Sequence, residues 1–244
     1  MRSSQLSLTQ YDSDKLGFLE WYDSVLEPWL EKDIVLLELG VNKGGSLLLW
    51  RDYFPRGSIV GIDIHPPRDF HPPDRVHVFE GNQADKACLS RVADQMAPGG
   101  IDIVIDDASH VGELTKTSFW HLFDNHLKPG GLYVIEDWGT GYWEDWPDGK
   151  SLGLELRPSS RSGRRSVWSR VKRKIGLKIP MHCHSYGMVG FVKQLIDEQG
   201  ASDVSRKHTK GTTTRSSKFE QMIVAPSIVF IKKAGGKSDP AVAI

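Results

Sequence analysis

Short apolar runs, each ended by a polar or glycine-containing turn, recur along the first part of the chain. These runs are residues 34–39, 58–64, 75–79, 101–105 and 132–135. Glu38 is the one break in the first run, which stops at Gly40. Runs of this length with apolar residues at nearly every position are typical of strands that are buried on both faces of a parallel sheet.

Other segments repeat their apolar residues at helical spacing and lie between the strands. They are residues 16–30, 46–53, 86–96 and 188–199. Two further short strands, residues 221–224 and 228–231, are joined through Pro226-Ser227 and predict a closing hairpin. The alternation predicts an α/β fold with a doubly wound, seven-stranded, mostly parallel sheet and an antiparallel C-terminal hairpin, in a single domain over residues 1–244.

Composition excludes some partners. The chain has 31 Lys and Arg and 31 Asp and Glu among 244 residues, so it has no overall field that would attract nucleic acid or an anionic membrane. No apolar run approaches the length of a membrane span of about 18 residues, and the N-terminal residues lack the apolar core of a signal peptide. Cys88 and Cys183 are expected to be free thiols. These features predict a soluble, cytoplasmic protein with no membrane partner.

One segment departs from this balance. Residues 157–178 contain nine Lys and Arg and no acid, which predicts a basic loop insertion at about residues 150–182. Because Trp168 lies inside this run, one alternative is an RNA-binding protein or an RNA methyltransferase that stacks bases on the aromatic ring. The run lies in an insertion rather than at the strand ends, so nucleic acid is not the expected partner.

The turn after the first strand predicts a nucleotide-type cofactor site. Ligands of open α/β sheets bind beyond the carboxyl ends of the strands, and the segment from Gly40 to Gly45 is a glycine-rich turn at such an end. Asp63 ends the second strand, where an acid can accept hydrogen bonds from both ribose hydroxyls. The turn lacks the G-x-G-x-x-G and GK[ST] patterns of dinucleotide and phosphate sites. Together with Glu38 as an acceptor for the methionine ammonium, it favours S-adenosylmethionine, although a simple tight turn is the alternative.

Acidic residues end the next two neighbouring strands. Asp106 and Asp107 follow the run at 101–105, and Glu136 and Asp137 follow the run at 132–135. Crowded carboxylates repel one another, and oxygen ligands suit a hard cation such as Mg²⁺. Alternating side-chain directions place Asp107, Glu136 and Asp137 on the metal and Asp106 on the cofactor side.

His110 follows Asp107 by three residues and is the candidate base that takes a proton from a metal-acidified hydroxyl. Its alternative role is to cap the next helix. Tyr142, Trp143 and Trp146 are expected to flank the acceptor, although ordinary packing of their loop onto the sheet explains them equally well.

At these positions the chain resembles the metal-dependent macrolide-sugar O-methyltransferases of the mycinamicin and macrocin type. The similarity runs from Ser13-Asp14-Lys15 to Trp146. Its densest parts are Leu37 to Val41, Gly45 to Leu47, Gly61 to Ile64, Ile103 to Asp107, Ser109-His110, and Leu127 to Asp137 followed by Tyr142-Trp143.

The resemblance implies a class I methyltransferase of Rossmann-like fold, with Mg²⁺, S-adenosylmethionine and a small sugar-containing acceptor. It implies His110 as base, Asp107, Glu136 and Asp137 as metal ligands, and cofactor contacts at Gly40, Ser46, Asp63, Gln83 and Asp106.

Two segments depart from the family pattern. The chain has Gly81-Asn82-Gln83 where the family shows Gly-Asp-Gln, and Gly139-Thr140-Gly141-Tyr142-Trp143 where it shows His-Thr-Ser-Tyr-Trp. The second change concerns the loop expected to face the acceptor, so the acceptor stays open, as does assembly into a homo-oligomer. A non-methylating relative similar to cephalosporin hydroxylases is a further alternative.

Overall fold

The computed structural model describes residues 1–155, 183–206 and 214–235. The predicted basic run at 157–178, with Trp168, lies outside these residues. Seven strands form one sheet in the order β3-β2-β1-β4-β5-β7-β6. The strands are β1 (Val35–Leu39), β2 (Ser58–Asp63), β3 (Val76–Glu80), β4 (Ile101–Asp106), β5 (Leu127–Glu136), β6 (Phe219–Ala225) and β7 (Ile228–Lys233). Strands β1 to β5 pair in parallel and β7 pairs antiparallel with both neighbours, so the predicted sheet is confirmed.

Helices cover both faces of this sheet. They are α1 (Leu19–Leu26), α2 (Gly45–Tyr53), α3 (Lys86–Met96), α4 (Gly112–Asn125), α5 (Pro147–Glu155), α6 (Gly187–Gln199) and α7 (Ala201–Arg206). Trp50 and Tyr53 of α2 are fully buried with Tyr22 of α1 against one face. Phe119 of α4 and Phe191 of α6 pack against the other face. In the part of the chain that is described, no helix has the length and apolarity needed to cross a membrane.

The predicted helix over residues 16–30 is three shorter segments. A 3-10 helix, Asp14–Phe18, precedes α1, and a second one, Glu27–Trp29, follows it. Pro28 lies in the second 3-10 helix, where its missing N–H and its ring would break a longer α-helix. The first segment places Lys15 at the carboxyl ends of the strands.

The strand β5 begins earlier than its apolar run predicts. The segment Lys128 to Gly131, predicted as a turn before the strand, lies inside β5. Ile101 pairs with Leu127 and Ile103 pairs with Leu132, so the register shifts and residues 128–131 bulge out of the ladder. A bulge contains the same glycine and proline that mark a turn, which explains the misplaced boundary.

The order of the strands fixes where a ligand can bind. From β1 the chain winds through β2 to β3 on one side, and it then crosses back to β4 on the other side of β1. Between β1 and β4 the connections leave in opposite directions, which opens a crevice at the carboxyl ends of these two strands. The predicted site residues of β1, β2, β4 and β5 all lie at this edge.

Candidate active site at the carboxyl ends of the strands

The glycine turn after β1 passes directly over the end of β4. Gly40 has φ +92°, and its amide donates to the carbonyl oxygen of Ile62 at 2.8 Å. A Cβ at Gly40 would lie 2.3 Å from the carbonyl oxygen of Asp107, so a side chain does not fit there. Gly44, at φ +89°, then starts α2 at Gly45. The turn therefore brings the backbone of two strand ends and one helix start into contact.

Asp63, at the end of β2, fastens this turn to the sheet. Its Oδ2 accepts hydrogen bonds from the amides of Val41 at 2.7 Å and Asn42 at 3.2 Å. Its Oδ1 accepts from the amide of His65 at 2.8 Å. Asp63 is half-buried, and it lines the cleft that opens above the turn. It thus holds the turn in shape as well as facing the predicted cofactor position.

The cleft consists of two adjoining cavities at the carboxyl ends of β1, β2 and β4. The larger cavity has a volume of about 440 Å³ and its lining includes Ser13, Ser46, Asp63, Asp107, His110 and Trp146. The second cavity, of about 180 Å³, extends toward Gln83 and shares Gly40, Asp63 and Ala108 with the first. The larger cavity alone falls in the range of small-molecule sites, roughly 300–1,000 Å³.

A cavity of about 650 Å³ lies elsewhere, between α1 and the strands β5, β7 and β6. Asp102 and Lys128 line it at the amino ends of β4 and β5. It contains none of the predicted site residues and lies at the edge opposite the crevice, so its size does not make it the better candidate.

Gln83 lines the smaller cavity, and Asp106 supports it from behind. Asp106 is buried and accepts from Ser118 Oγ at 2.7 Å and Tyr133 Oη at 3.0 Å. Gln83 Nε2 donates to Asp106 at 3.3 Å, and Gln83 Oε1 accepts from the Ser109 amide at 3.0 Å. Burial raises the pKa of Asp106 to about 6, although the hydroxyls of Ser118 and Tyr133 act to lower it. Gln83 faces the cleft, and Asp106 lies behind it.

Glu38 occupies a similar second layer behind Ser46. Its side chain is fully buried, and it accepts from Ser46 Oγ at 2.8 Å and from Trp50 Nε1 at 3.4 Å. Burial raises the pKa of Glu38, while the ammonium of Lys15 at 3.2 Å acts to lower it. Ser46, rather than Glu38, reaches the cavity wall.

Lys15 is the residue of the site that the sequence reasoning missed. Its side chain is 1% exposed, and its ammonium contacts carboxylates at the ends of three strands, namely Glu38 of β1, Asp107 just after β4, and Glu136 of β5 at 2.9 Å. Burial acts to lower the pKa of Lys15, but the three carboxylates outweigh it and the net shift is upward. Burial raises the pKa of Glu136 although Lys15 opposes this, and Tyr22 Oη donates to its other oxygen.

Nothing in the hydrophobic pattern distinguishes this lysine from an exposed one. It lies in a polar segment, Ser13-Asp14-Lys15, and its partners are 23 to 121 residues away. The signal that could have found it is the start of the family resemblance at this tripeptide, because a resemblance that begins in a polar segment indicates a role for its polar residues.

Beside Lys15, on the side of the acid cluster that lines the cleft, three side chains converge, those of Asp107, His110 and Asp137. The candidate ligand atoms of these three residues all lie within 4.8 Å of one another. Asp107 Oδ1 lies 3.7 Å from His110 Nε2. His110 at φ +53° and Asp137 at φ +52° both have left-handed backbones, a conformation that costs roughly 1–2 kcal/mol in residues other than glycine. The fold therefore holds two strained residues side by side at this point.

His110 does not cap the helix that follows it. Val111 is the N-cap of α4, and the amide of Gly112 donates to Asp148 Oδ2 at 2.9 Å. His110 is 9% exposed and its ring packs edge-on against Trp146, with 5.2 Å between ring centroids. Its Nδ1 is buried and, within the described residues, has no hydrogen-bond partner. The capping alternative is therefore wrong, and the ring is available to a bound group.

Two of the three predicted aromatic residues form a row that leads away from His110. Trp146 packs on His110, and Trp143 follows with ring centroids 6.3 Å apart. Tyr142 contacts His184 instead, at 4.8 Å between centroids. Tyr142 is 42% and Trp143 is 49% exposed, so both rings are accessible to solvent, and neither lines the two cavities of the cleft. Trp146 is the member of the row that lines the cavity.

The charges of this cluster fit a divalent cation. Three carboxylates, those of Glu38, Asp107 and Glu136, share the single ammonium of Lys15, so acids outnumber this cation in the cluster. Buried and half-buried acids at this density need further positive charge. A hard cation with oxygen ligands, such as Mg²⁺, would be held by Asp107 and Asp137, whose oxygens already converge. The residues present therefore fit the predicted metal.

Comparison with known proteins identifies relatives of the predicted type. The chain is 40% identical over 171 residues to mycinamicin VI 2''-O-methyltransferase of Micromonospora griseorubida, which is 62% of this chain and 41% of that protein. It is 40% identical over 144 residues to 8-demethyl-8-alpha-L-rhamnosyl tetracenomycin-C 2'-O-methyltransferase of Streptomyces olivaceus, which is 55% of this chain and 37% of that protein. No protein-family model matches the chain.

A solved structure extends this similarity to the fold. The MycE methyltransferase from the mycinamycin biosynthetic pathway, in complex with Mg and SAH, superposes with a TM-score of 0.67 at 29% sequence identity. The match covers 94% of this chain and 54% of that protein, so the chain spans about half the length of this relative. The chain therefore has the class I methyltransferase fold and is related to the macrolide-sugar O-methyltransferases, as its motifs predict.

Proposed function

We propose that the protein is an S-adenosylmethionine-dependent, Mg²⁺-dependent O-methyltransferase that methylates a hydroxyl of a sugar or of a glycosylated natural product. The observation that carries the proposal is the convergence of Asp107, His110 and Asp137, of which Asp107 and His110 line the cleft formed by the glycine turn and Asp63. Relatives that are 40% identical over 144 to 171 residues are named as O-methyltransferases, and one of them is named for a rhamnosyl compound.

The cofactor would occupy the cleft above the glycine turn. Gly40 allows its close approach, Ser46 and Asp63 line the larger cavity, and Gln83 lines the smaller one. Glu38 and Asp106 support these residues from the second layer, through Ser46 and Gln83 respectively. When bound, S-adenosylmethionine supplies a methyl group on a sulfonium, and its displacement requires alignment of the acceptor oxygen rather than an acid.

Asp107 and Asp137 would hold the metal directly, with Glu136 as the third proposed ligand. Glu136 touches the same ammonium as Asp107, which places the two carboxylates side by side. When bound, Mg²⁺ lowers the pKa of a coordinated hydroxyl and orients it.

His110 is the proposed base. Its Nε2 faces Asp107 Oδ1, which would hold an imidazolium in place after the proton has moved to the ring. The ring lies between the acid cluster and Trp146, so an acceptor hydroxyl that enters the cleft from the aromatic row passes beside it. Trp146, Trp143 and Tyr142 are proposed to pack against the sugar ring and to exclude water from the reacting oxygen.

The test uses labelled S-adenosylmethionine and a panel of glycosides with free vicinal hydroxyls, each paired with its aglycone. We expect methyl transfer to glycosides alone, loss of transfer in EDTA, and recovery with Mg²⁺. We expect His110→Ala to lower kcat by about 10²–10⁴-fold, the usual contribution of a general base, without loss of S-adenosylhomocysteine binding.

His77→Ala is the matched control, because His77 is an exposed histidine on the edge strand β3, outside the cleft. It should retain the wild-type rate. Transfer that continues unchanged in EDTA and in His110→Ala would refute the metal and base assignments. Transfer to RNA rather than to any glycoside would favour the nucleic-acid alternative.

A further inference from the structure

We propose that Lys15 is a positioning residue. It fills the inner side of the acid cluster, between Glu38 and Glu136, and thereby confines a divalent ion to the outer side, where Asp107 and Asp137 lie next to His110. The inference rests on the proposed function. It concerns Lys15, which is neither a proposed metal ligand nor the proposed base.

The inner side of the cluster is occupied by one ammonium. The Lys15 side chain is 1% exposed, and its Nζ lies 3.2 Å from Glu38 Oε1 and 2.9 Å from Glu136 Oε2 and donates to Asp107 Oδ2. An ammonium has three donors, and here it donates to Asp107 and Glu136 and forms an ion pair with Glu38. An ion placed between Glu38 and Glu136 would have to displace this ammonium.

The two carboxylate oxygens of Asp107 face different sides of the cluster. Its Oδ2 contacts Lys15, while its Oδ1 faces His110 Nε2 at 3.7 Å and lies in the group that includes Asp137. The contact with Lys15 therefore fixes the orientation of the carboxylate and directs the second oxygen to the outer side. Glu136 is held in the same way, between Lys15 and Tyr22.

The position of the ion decides whether it can serve the reaction. On the outer side it lies beside His110 and the cavity, where a hydroxyl can reach both groups. On the inner side it would lie beside Glu38, which is fully buried behind Ser46 and does not line the cleft. Without the lysine, the carboxylate of Glu38 would have no ammonium beside it and would attract the ion inward, away from the base.

Removal of the positive charge should therefore change binding and rate in opposite directions. A unit charge a few ångströms from a divalent ion repels it strongly, so its loss tightens binding. The same loss lowers kcat, because the ion is no longer held beside His110. A variant that was merely misfolded would bind the ion more weakly and react more slowly, so the opposite signs distinguish a positioning role from a structural one.

The experiment measures Mn²⁺ binding by the electron paramagnetic resonance signal of the free ion, and kcat separately, on the full chain. For Lys15→Met we expect the Mn²⁺ dissociation constant to fall at least about tenfold and kcat to fall at least about tenfold. Lys15→Arg keeps the charge and should stay close to wild type in Mn²⁺ affinity. Lys128→Met is the matched control, since Lys128 pairs with Asp102 at the opposite edge of the sheet and should change neither value.

If Lys15→Met does not fold, the comparison is made between Glu38→Gln and the double variant Glu38→Gln, Lys15→Met, which buries one carboxylate fewer. The double variant should bind Mn²⁺ more tightly than the single one. Equal or weaker Mn²⁺ binding in Lys15→Met than in wild type, or in the double variant than in Glu38→Gln, would overturn the inference. A wild-type protein that binds no Mn²⁺ and needs none for turnover would overturn the proposed metal and, with it, the role of Lys15.

Discussion

Alanine substitutions at Gly40 and at Gly130 distinguish two effects, namely a collision that changes the shape of the cleft and the general energetic cost of a left-handed backbone. Gly40 has φ +92° and Gly130 has φ +75°, so alanine at either position adopts a left-handed backbone. That costs about 1–2 kcal/mol and is partly offset by the lower entropy of the unfolded chain, by about 0.4–1 kcal/mol. At Gly130 no atom lies within 4 Å of the added Cβ, so Gly130→Ala measures the backbone cost alone.

At Gly40 the added Cβ would also collide with the main chain of the site. It would lie 2.3 Å from the carbonyl oxygen of Asp107, compared with a normal contact of about 3.5 Å, so the backbone there must move by roughly 1 Å. Asp107 is one of the proposed metal ligands, and a shift of this size in a reacting group can lower a rate on the order of 100-fold.

The assay compares kcat for methyl transfer and the free energy of unfolding in urea for both variants. We expect Gly40→Ala to lose about 100-fold in kcat and to be less stable than Gly130→Ala, and we expect Gly130→Ala to react at nearly the wild-type rate. A Gly40→Ala protein that is as stable and as active as Gly130→Ala would refute the reasoning that this turn needs glycine because of its contact with Asp107.

Three further predictions concern the scaffold. Burial acts to raise the pKa of Asp23, but hydrogen bonds from Ser3 and Tyr53 outweigh it, so the net shift is downward. The ionised Asp23 should therefore stabilise the fold fully above the ordinary Asp pKa of about 3.9. This stabilisation should disappear as the pH falls through the lowered pKa. Urea titrations from pH 7 to 3 should therefore show the gap between wild type and Asp23→Asn closing only at the acid end, and a constant gap would contradict this. Phe119→Ala should lower the free energy of unfolding by about 3–5 kcal/mol, because the ring is fully buried among aromatic side chains. Arg75→Ala should cost about 2–4 kcal/mol, because three main-chain carbonyls lose their donor; a loss below 1 kcal/mol would show that water replaces the guanidinium.

The apolar pattern was sufficient for the sheet because each parallel strand is buried on both faces. The runs at 34–39 and 101–105 coincide with β1 and β4 to within one residue at each end, since a buried strand leaves almost no polar position until the chain turns. The predicted start of β5 was wrong because residues 128–131 form a bulge inside the strand. This bulge contains glycine and proline, the residues that also mark turns.

The strand ends also indicated where the polar residues would meet, because adjacent parallel strands end at the same edge. This argument brought Asp107 and Asp137 together, and the structure places their oxygens within reach of His110. The same argument could not rank residues by depth. Glu38 and Asp106 lie behind Ser46 and Gln83, and this layering depends on side-chain packing that strand order does not specify.

Lys15 shows a second limit of the sequence. A lysine in a polar segment is normally exposed, and only the meeting of three strand ends at one point makes its burial favourable. The contact is set by tertiary structure over separations of up to 121 residues, for which periodicity contains no signal.

The most direct test of the site is a crystal of the protein grown with S-adenosylhomocysteine and soaked in Mn²⁺, with the anomalous signal of the metal located in the map. We expect a single strong peak in contact with Asp107 and Asp137, on the side of the cluster that faces His110. A protein that transfers methyl groups to its acceptor while its crystals show no peak at these carboxylates, or a peak only at a distant surface, would contradict the assignment of this cluster as the metal centre.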